Sequence, residues 1–102
     1  MGTFEKVAIV TGAGTGIGKY TTLGLLREGY AVVLAGRRGE LLEKTVQEAG
    51  RADKAGAAAE QTLVVPTDVG EPASVQALFA KTQETFGRLD LLFNNAGTGA
   101  PP

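Results

Sequence analysis

The chain has 102 residues, ten of them basic and eleven acidic, and it contains neither cysteine nor histidine. That length suits one small domain with a modest core, and so balanced a charge points to neither nucleic acid nor a membrane surface as partner. Without Cys or His there is no disulfide, no thiolate nucleophile, no Ser-His triad and almost no route to a zinc site.

No apolar run reaches bilayer length, and "MGTFEKVAIV" enters a strand almost at once, without the pattern of a signal peptide. Met1-Gly2 would suit myristoylation, but Lys6 stands where Ser or Thr is needed. An ordinary cytoplasmic protein is therefore the expectation. The first element is the continuous apolar run Val7 to Val10. It leads directly into "TGAGTGIGK", Thr11 to Lys19, with four glycines in nine residues. A glycine-rich turn between a strand and a helix is commonly a phosphate cradle. In the helix that follows, Ile17, Thr21, Gly24, Leu25 and Glu28 share one predicted face, and Gly29 supplies the stop.

The second apolar run is Ala31 to Ala35, followed by Gly36, Arg37 and Arg38. Leu42, Val46 and Ala49 mark a second helix, predicted to end near Gly50. "RADKAGAAAEQ", Arg51 to Gln61, reads as a surface connection whose alanines could also extend that helix. Leu63 to Val65 is the third run, with Asp68-Val69 shortly after it. Val75, Leu78, Phe79, Thr82 and Phe86 mark a third helix, opened by Pro72 and closed by Gly87. Leu91 to Phe93 is the fourth run, ending in Asn94-Asn95-Ala96-Gly97. Continuous apolar runs suggest strands buried on both faces, as in a parallel sheet. The order β-α-β-α-β-α-β therefore predicts an α/β fold with a doubly wound parallel sheet. Dinucleotide-binding folds of this kind have strand order 3-2-1-4-5-6, of which this chain supplies 3-2-1-4. The fourth strand would then be an exposed apolar edge, so the chain is either a fragment or covered there by something else.

Three phosphate loops compete for the glycine-rich stretch. The dinucleotide fingerprint G-x-G-x-x-G fails in both frames, because its last glycine would fall on Ile17 or Lys19. The nucleotide-triphosphatase loop needs a hydroxyl for Mg²⁺ after its Lys, and Tyr20 stands there instead. T-G-x-x-x-G-x-G fits, on Thr11, Gly12, Gly16 and Gly18. Gly12 would allow the tight turn, Gly16 would let the backbone approach a pyrophosphate, and Gly18 would let the helix pack closely.

With Thr11 to Gly18, Asp68-Val69 and Asn94-Asn95-Ala96-Gly97 in that order, each following a predicted strand, the chain resembles the short-chain dehydrogenases/reductases along nearly its whole length. The resemblance implies a Rossmann fold and the cofactor-binding part, over residues 1–102, of an oxidoreductase that interconverts an alcohol and a carbonyl by hydride transfer. It implies a nicotinamide dinucleotide as cofactor, a small carbonyl or alcohol as substrate, and a homodimer or homotetramer for the full-length protein. Gly12, Gly14, Thr15, Gly16, Ile17 and Gly18 would cradle the pyrophosphate. Asp68, with Val69 beside it, would meet the adenine amino group or simply begin a turn. Asn95, Ala96 and Gly97 would lie beside the cofactor ribose, and Asn94 and Asn95 could equally tie the loops above the sheet. Arg37, with Arg38 next to it, follows the strand where the adenosine ribose is recognised, which favours NADP over NAD, although NAD stays possible. Lys19 reads as a solvated residue of the first helical turn. The family's catalytic Tyr and Lys stand four residues apart on one helix. Neither Tyr20 nor Tyr30 has Lys at that spacing, so no residue here is assigned to catalysis. The rival reading is a Rossmann module that binds or senses a nucleotide and does no chemistry.

Overall fold

The apolar runs become four parallel strands because each is long enough to pair and successive runs are joined by a crossover helix. The computed structural model describes residues 6–13, 16–52 and 61–94. In chain order the elements are β1 (Val7–Thr11), α1 (Gly16–Arg27), β2 (Ala31–Gly36), α2 (Gly39–Ala52), β3 (Thr62–Pro66), α3 (Pro72–Phe86) and β4 (Leu91–Asn94). The sheet has the order β3-β2-β1-β4, and every pairing is parallel. None of the described helices is long and apolar enough to cross a membrane.

Successive strand residues point to opposite faces, and the core divides accordingly. Val10, Ala13, Val32, Leu34 and Leu42 form one buried cluster, with Leu25 and Leu26 of α1, Val46 of α2 and Tyr30, just before β2, packed on it. Ile9, Val33, Ala35 and Leu78 form the other, closed by Phe86 from α3. Two helices therefore cover one face and one covers the other. Each fully buried Val, Leu or Ile contributes about 1.5–3 kcal/mol, and most of that lies in β1 and β2, whose apolar side chains are completely buried. Burial on both faces does not extend to the outer strands. Residues Thr62–Val65 of β3 are only half-buried. In β4, Leu91 and Leu92 are exposed, so its outer edge is apolar and open, as the sequence order predicts.

The inward face of α1 differs from the predicted stripe. Gly18 and Thr22 are its buried residues, whereas Ile17 is 67% exposed and Gly24 and Glu28 are also exposed. The cause is distance. A Cβ on Gly18 would overlap the Gly12 carbonyl oxygen and lie 3.1 Å from the Ala13 Cα. The helix approaches the β1 turn so closely that only a residue without a side chain fits. Apolar periodicity cannot reveal such a face, since its key residue has no hydrophobicity. Thr22 is accommodated one turn on, its hydroxyl donating to the Gly18 carbonyl at 2.9 Å. The predicted helix ends fare better. Gly29, with φ of +92°, stops α1, and Gly87, with φ of +79°, closes α3 with its N–H on the Gln83 carbonyl. Pro72 opens α3. The second helix, expected to end near Gly50, is described as far as Ala52. Residues 53–60 of the alanine-rich connection lie outside the described residues.

Asp90 fixes the entry of β4. Its Oδ2 accepts from the Val7 N–H at 2.8 Å, its own N–H donates to the Val7 carbonyl at 2.8 Å, and Arg88 holds both carboxylate oxygens at 2.9 and 2.7 Å. The Arg88 hydrogen bonds, then the Val7 N–H, hold its carboxyl below the usual carboxylate range. A depressed folded pKa gives a stabilisation that is present above the unfolded value and lost as the pH falls through the folded one.

Two outcomes follow for the protein carrying this chain. Gly18→Ala lowers stability by about 2–3 kcal/mol, because α1 must retreat from β1. Gly24→Ala, in the same helix with nothing within 4 Å of the added Cβ, raises it by about 0.5–1 kcal/mol. Urea denaturation of both variants reads the opposite signs. Asp90→Asn removes a stabilisation that wild type keeps at neutral pH and loses below the ordinary value of 3.8. The gap between their denaturation midpoints therefore narrows on acidification from pH 7 to pH 3.

Candidate functional site

Parallel register brings the sequence motifs to one edge of the sheet. Thr11 pairs with Ala35 on one side and Asn94 on the other, and Ala35 pairs with Val65. All four strands therefore reach their C-terminal ends at one level. At or just beyond these ends stand Gly12, Arg37, Asp68 and Asn94.

The first corner is the glycine loop. Gly12 takes a φ of +67°, which a residue with a Cβ adopts only at a cost. Its N–H donates to the Ala35 carbonyl at 2.8 Å, and the Ala13 N–H reaches the same oxygen at 3.4 Å. Ala13 is fully buried, and its carbonyl accepts from the Thr45 hydroxyl of α2 at 3.1 Å. Gly16 begins α1 with a φ of +54°, and a Cβ there would meet nothing within 4 Å. The backbone of this first turn thus faces open space, while Gly18, two residues later, is sealed against Gly12. Ile17 between them is exposed. Gly14 and Thr15 lie outside the described residues.

The second corner is the end of β2. The Gly36 carbonyl accepts from the Thr67 N–H at 2.6 Å, which anchors the loop after β3. A Cβ on Gly36 would lie 3.5 Å from Leu42 Cδ2 and 4.0 Å from the Gly12 nitrogen. These are ordinary contacts, so packing does not demand glycine here. Arg37 extends from this point with its side chain 75% exposed, and its Nη2 lies 3.5 Å from Asp68 Oδ1. Arg38 is exposed, and its carbonyl receives the Leu41 and Leu42 N–H groups at the start of α2.

Asp68 forms the third corner and is held from several directions. Its N–H donates to Ser74 Oγ at 2.9 Å, its carbonyl accepts from the Glu71 N–H at 2.9 Å, and its Oδ1 accepts from the Gly70 N–H at 2.9 Å. Val69 beside it is exposed. At the fourth corner, Asn94 Oδ1 accepts from the Thr11 hydroxyl at 3.1 Å, tying β4 to β1. Asn95, Ala96 and Gly97 lie outside the described residues.

Lys19, expected as a solvated residue of the first turn, is partly exposed and also carries a partner. It forms an ion pair with Glu48 at 2.7 Å, linking α1 to α2. The tyrosines sit apart from any proton-transfer arrangement. Tyr20 is 73% exposed on α1, and Tyr30 packs on the core at the opposite edge of the sheet, with the Lys6 ammonium 5.6 Å from its ring centroid. Two residues that shape the site lie outside the sequence motifs: Thr45 and Ser74. Thr45 had a detectable signal, a lone hydroxyl between Leu42 and Val46 on an apolar helical face. Ser74 stands in the first turn after Pro72, where a side-chain acceptor serves unpaired N–H groups.

A family model described as short chain dehydrogenase matches residues 6–102. The chain is 42% identical over 93 residues to an uncharacterized oxidoreductase of Staphylococcus aureus (strain USA300), covering 91% of this chain and 37% of that protein. L-Sorbose reductase from Gluconobacter frateurii, solved with NADPH and L-sorbose, is 33% identical and superposes with a TM-score of 0.82, over 100% of this chain and 37% of that one. 3-Ketoacyl-(acyl-carrier-protein) reductase from Brucella melitensis, solved with NADH, is 29% identical with a TM-score of 0.75, over 87% and 33% of the two chains. The chain spans a little over a third of the length of the curated relatives it matches. The sequence match runs through every strand and helix described above, and the solved structures share their arrangement. By sequence and by fold, this chain belongs to the short chain dehydrogenase family.

Proposed function

We propose that the chain is the cofactor-binding, N-terminal part of an NAD(P)(H)-dependent oxidoreductase that interconverts an alcohol and a carbonyl, with NADP(H) favoured. The observation that carries this reading is the open backbone at Gly16, on the same sheet edge as Arg37 and Asp68. A helix N-terminus offers unpaired N–H groups and a partial positive charge, and its attraction for a nearby anion is about 0.3–1 kcal/mol. With no side chain at Gly16, a pyrophosphate has room to reach those groups.

The residues present fit a dinucleotide. Gly12 and Gly18 shape the loop, and Gly14, Thr15, Gly16 and Ile17 would line the pyrophosphate. Asp68 Oδ1 is engaged by Gly70 and Arg37, and Oδ2 is the oxygen for an adenine amino group, with Val69 alongside. Asn95, Ala96 and Gly97 would flank the ribose. Arg37 would hold a 2′-phosphate, with Arg38 adding attraction. The bound nicotinamide would supply or accept hydride. This chain's own residues would bind and orient it, and the acid-base groups would come from outside these 102 residues. Relatives solved with NADPH and with NADH support a nicotinamide dinucleotide in general. The NADP preference rests on Gly36-Arg37. A carboxylate at the end of β2 would accept ribose hydroxyls and repel a 2′-phosphate; Gly36 does neither.

Two measurements test the proposal in the protein carrying this chain. Gly16→Val puts a branched side chain into the open space, and calorimetric titration with NADPH should then detect no binding to a variant that circular dichroism reports as folded. Unchanged affinity would reduce the loop to a simple turn. Wild type should bind NADPH at least about tenfold more tightly than NADH, because one charge-assisted bond from Arg37 is worth roughly 1.5–3 kcal/mol. The double change Gly36→Asp with Arg37→Ala should reverse that ratio, and a Cβ at Gly36 meets only ordinary contacts. Equal affinities in wild type would make Arg37 a solvated loop residue.

A further inference from the structure

The contact between Arg37 and Asp68 joins two residues given separate tasks in the proposed function, and its consequence rests on that reading. Asp68 is the fixed member. Its N–H, carbonyl and Oδ1 are held by Ser74, Glu71 and Gly70, each at 2.9 Å. Arg37 is the adjustable member. Its side chain is 75% exposed and meets the Asp68 carboxylate through one nitrogen, Nη2, at 3.5 Å. A guanidinium holds a phosphate best through two parallel N–H bonds. Turning that edge toward a phosphate means leaving a carboxylate that cannot follow. The carboxylate also offsets the positive field that would attract the phosphate.

We infer that Asp68 is a specificity-determining residue: it competes with the 2′-phosphate for Arg37 and so limits the preference for NADP(H) over NAD(H). Asp68 thus acts twice, through its adenine contact on both cofactors alike and through Arg37 on the phosphorylated one alone. A contact to the pyrophosphate does not share this second role, because the pyrophosphate is common to both cofactors. The effect is modest. Exposed ion pairs are weak and screened by salt, so relieving the competition changes affinity by roughly two- to fivefold.

The test is the ratio of dissociation constants, NADH over NADPH, measured by calorimetry on the protein carrying this chain. The variants are wild type, Asp68→Asn, Arg37→Ala and the double mutant. Asparagine keeps an acceptor for the Gly70 N–H and removes only the charge. Loss of an adenine contact affects both cofactors and cancels in the ratio. Asp68→Asn is expected to raise the ratio about two- to fivefold, with little change in the Arg37→Ala background. The gain should shrink at high salt. An unchanged or lowered ratio in Asp68→Asn overturns the inference. So does an equal gain without Arg37, which would mean bare repulsion between carboxylate and phosphate. A wild type with no NADPH preference, unaffected by Arg37→Ala, removes the NADP reading and the inference together. A preference that depends on Arg37 but ignores Asp68 removes the inference alone.

Discussion

The spacing between α1 and β1 is set where Gly18 meets the Gly12 carbonyl, and the geometry of the C-terminal edge depends on it. Any side chain at that point pushes the helix outward. The first turn of α1 would then leave the level of the strand ends, and the contacts of Leu25 and Leu26 with the core would loosen. The loop between them is held against the same limit from below. Ala13 is buried, its N–H shares the Ala35 carbonyl with Gly12, and its own carbonyl is fixed by Thr45. The electrostatic attraction of a helix terminus for an anion is on the order of 1 kcal/mol at most in an exposed setting. Packing decides where that attraction is delivered, and packing here leaves no slack.

β2 anchors the rest of the edge. Its last two carbonyls accept N–H groups from the loops after both neighbouring strands, Gly12 and Ala13 on Ala35, Thr67 on Gly36. β2 is the most buried strand together with β1, so these loops, although exposed at their tips, start from rigid points. That arrangement lets recognition residues stand on loops without drifting. β4 is secured differently, by side chains: Asp90 on the Val7 backbone at one end and Thr11 on Asn94 at the other. An edge strand with exposed Leu91 and Leu92 has few packing contacts to fix its position, and polar bonds at both ends compensate.

Strand order and helix ends were legible because each depends on local signals. The four apolar runs are short, uninterrupted and separated by helical patterns, and Gly29, Gly87 and Pro72 carry backbone requirements that no tertiary context changes. The family motifs were legible for the same reason: glycines at Gly12 and Gly18 have no substitute at a positive φ or a blocked Cβ. The inward face of α1 was not legible, since the closest contact belongs to a residue that adds nothing to hydrophobic periodicity. Nor were the pairs Lys19–Glu48, Arg37–Asp68 and Thr45–Ala13, which join residues 29, 31 and 32 positions apart. Such partners are chosen by how helices and loops settle on the sheet. The second helix passes Gly50 to reach Ala52 because glycine lowers helix stability by only about 1 kcal/mol, less than the rest of a long amphipathic helix supplies.

The charges near the glycine loop are largely spoken for by neighbours. Lys19, in the first turns of α1, is tied to Glu48 at 2.7 Å, and Arg37 leans on Asp68 at 3.5 Å. The two contacts differ in kind. The first is short and half-buried, so it fixes α1 to α2 and leaves little cationic field for a ligand. The second is long and exposed, so it yields at small cost. On the proposed reading, recognition at this edge would separate into a backbone part, which would treat all dinucleotides alike, and a side-chain part, Arg37 with Asp68, which would distinguish them. On that reading, altering one or two exposed residues would change the cofactor without disturbing the packing that positions the loop. Relatives of the same fold have been solved with NADPH and with NADH.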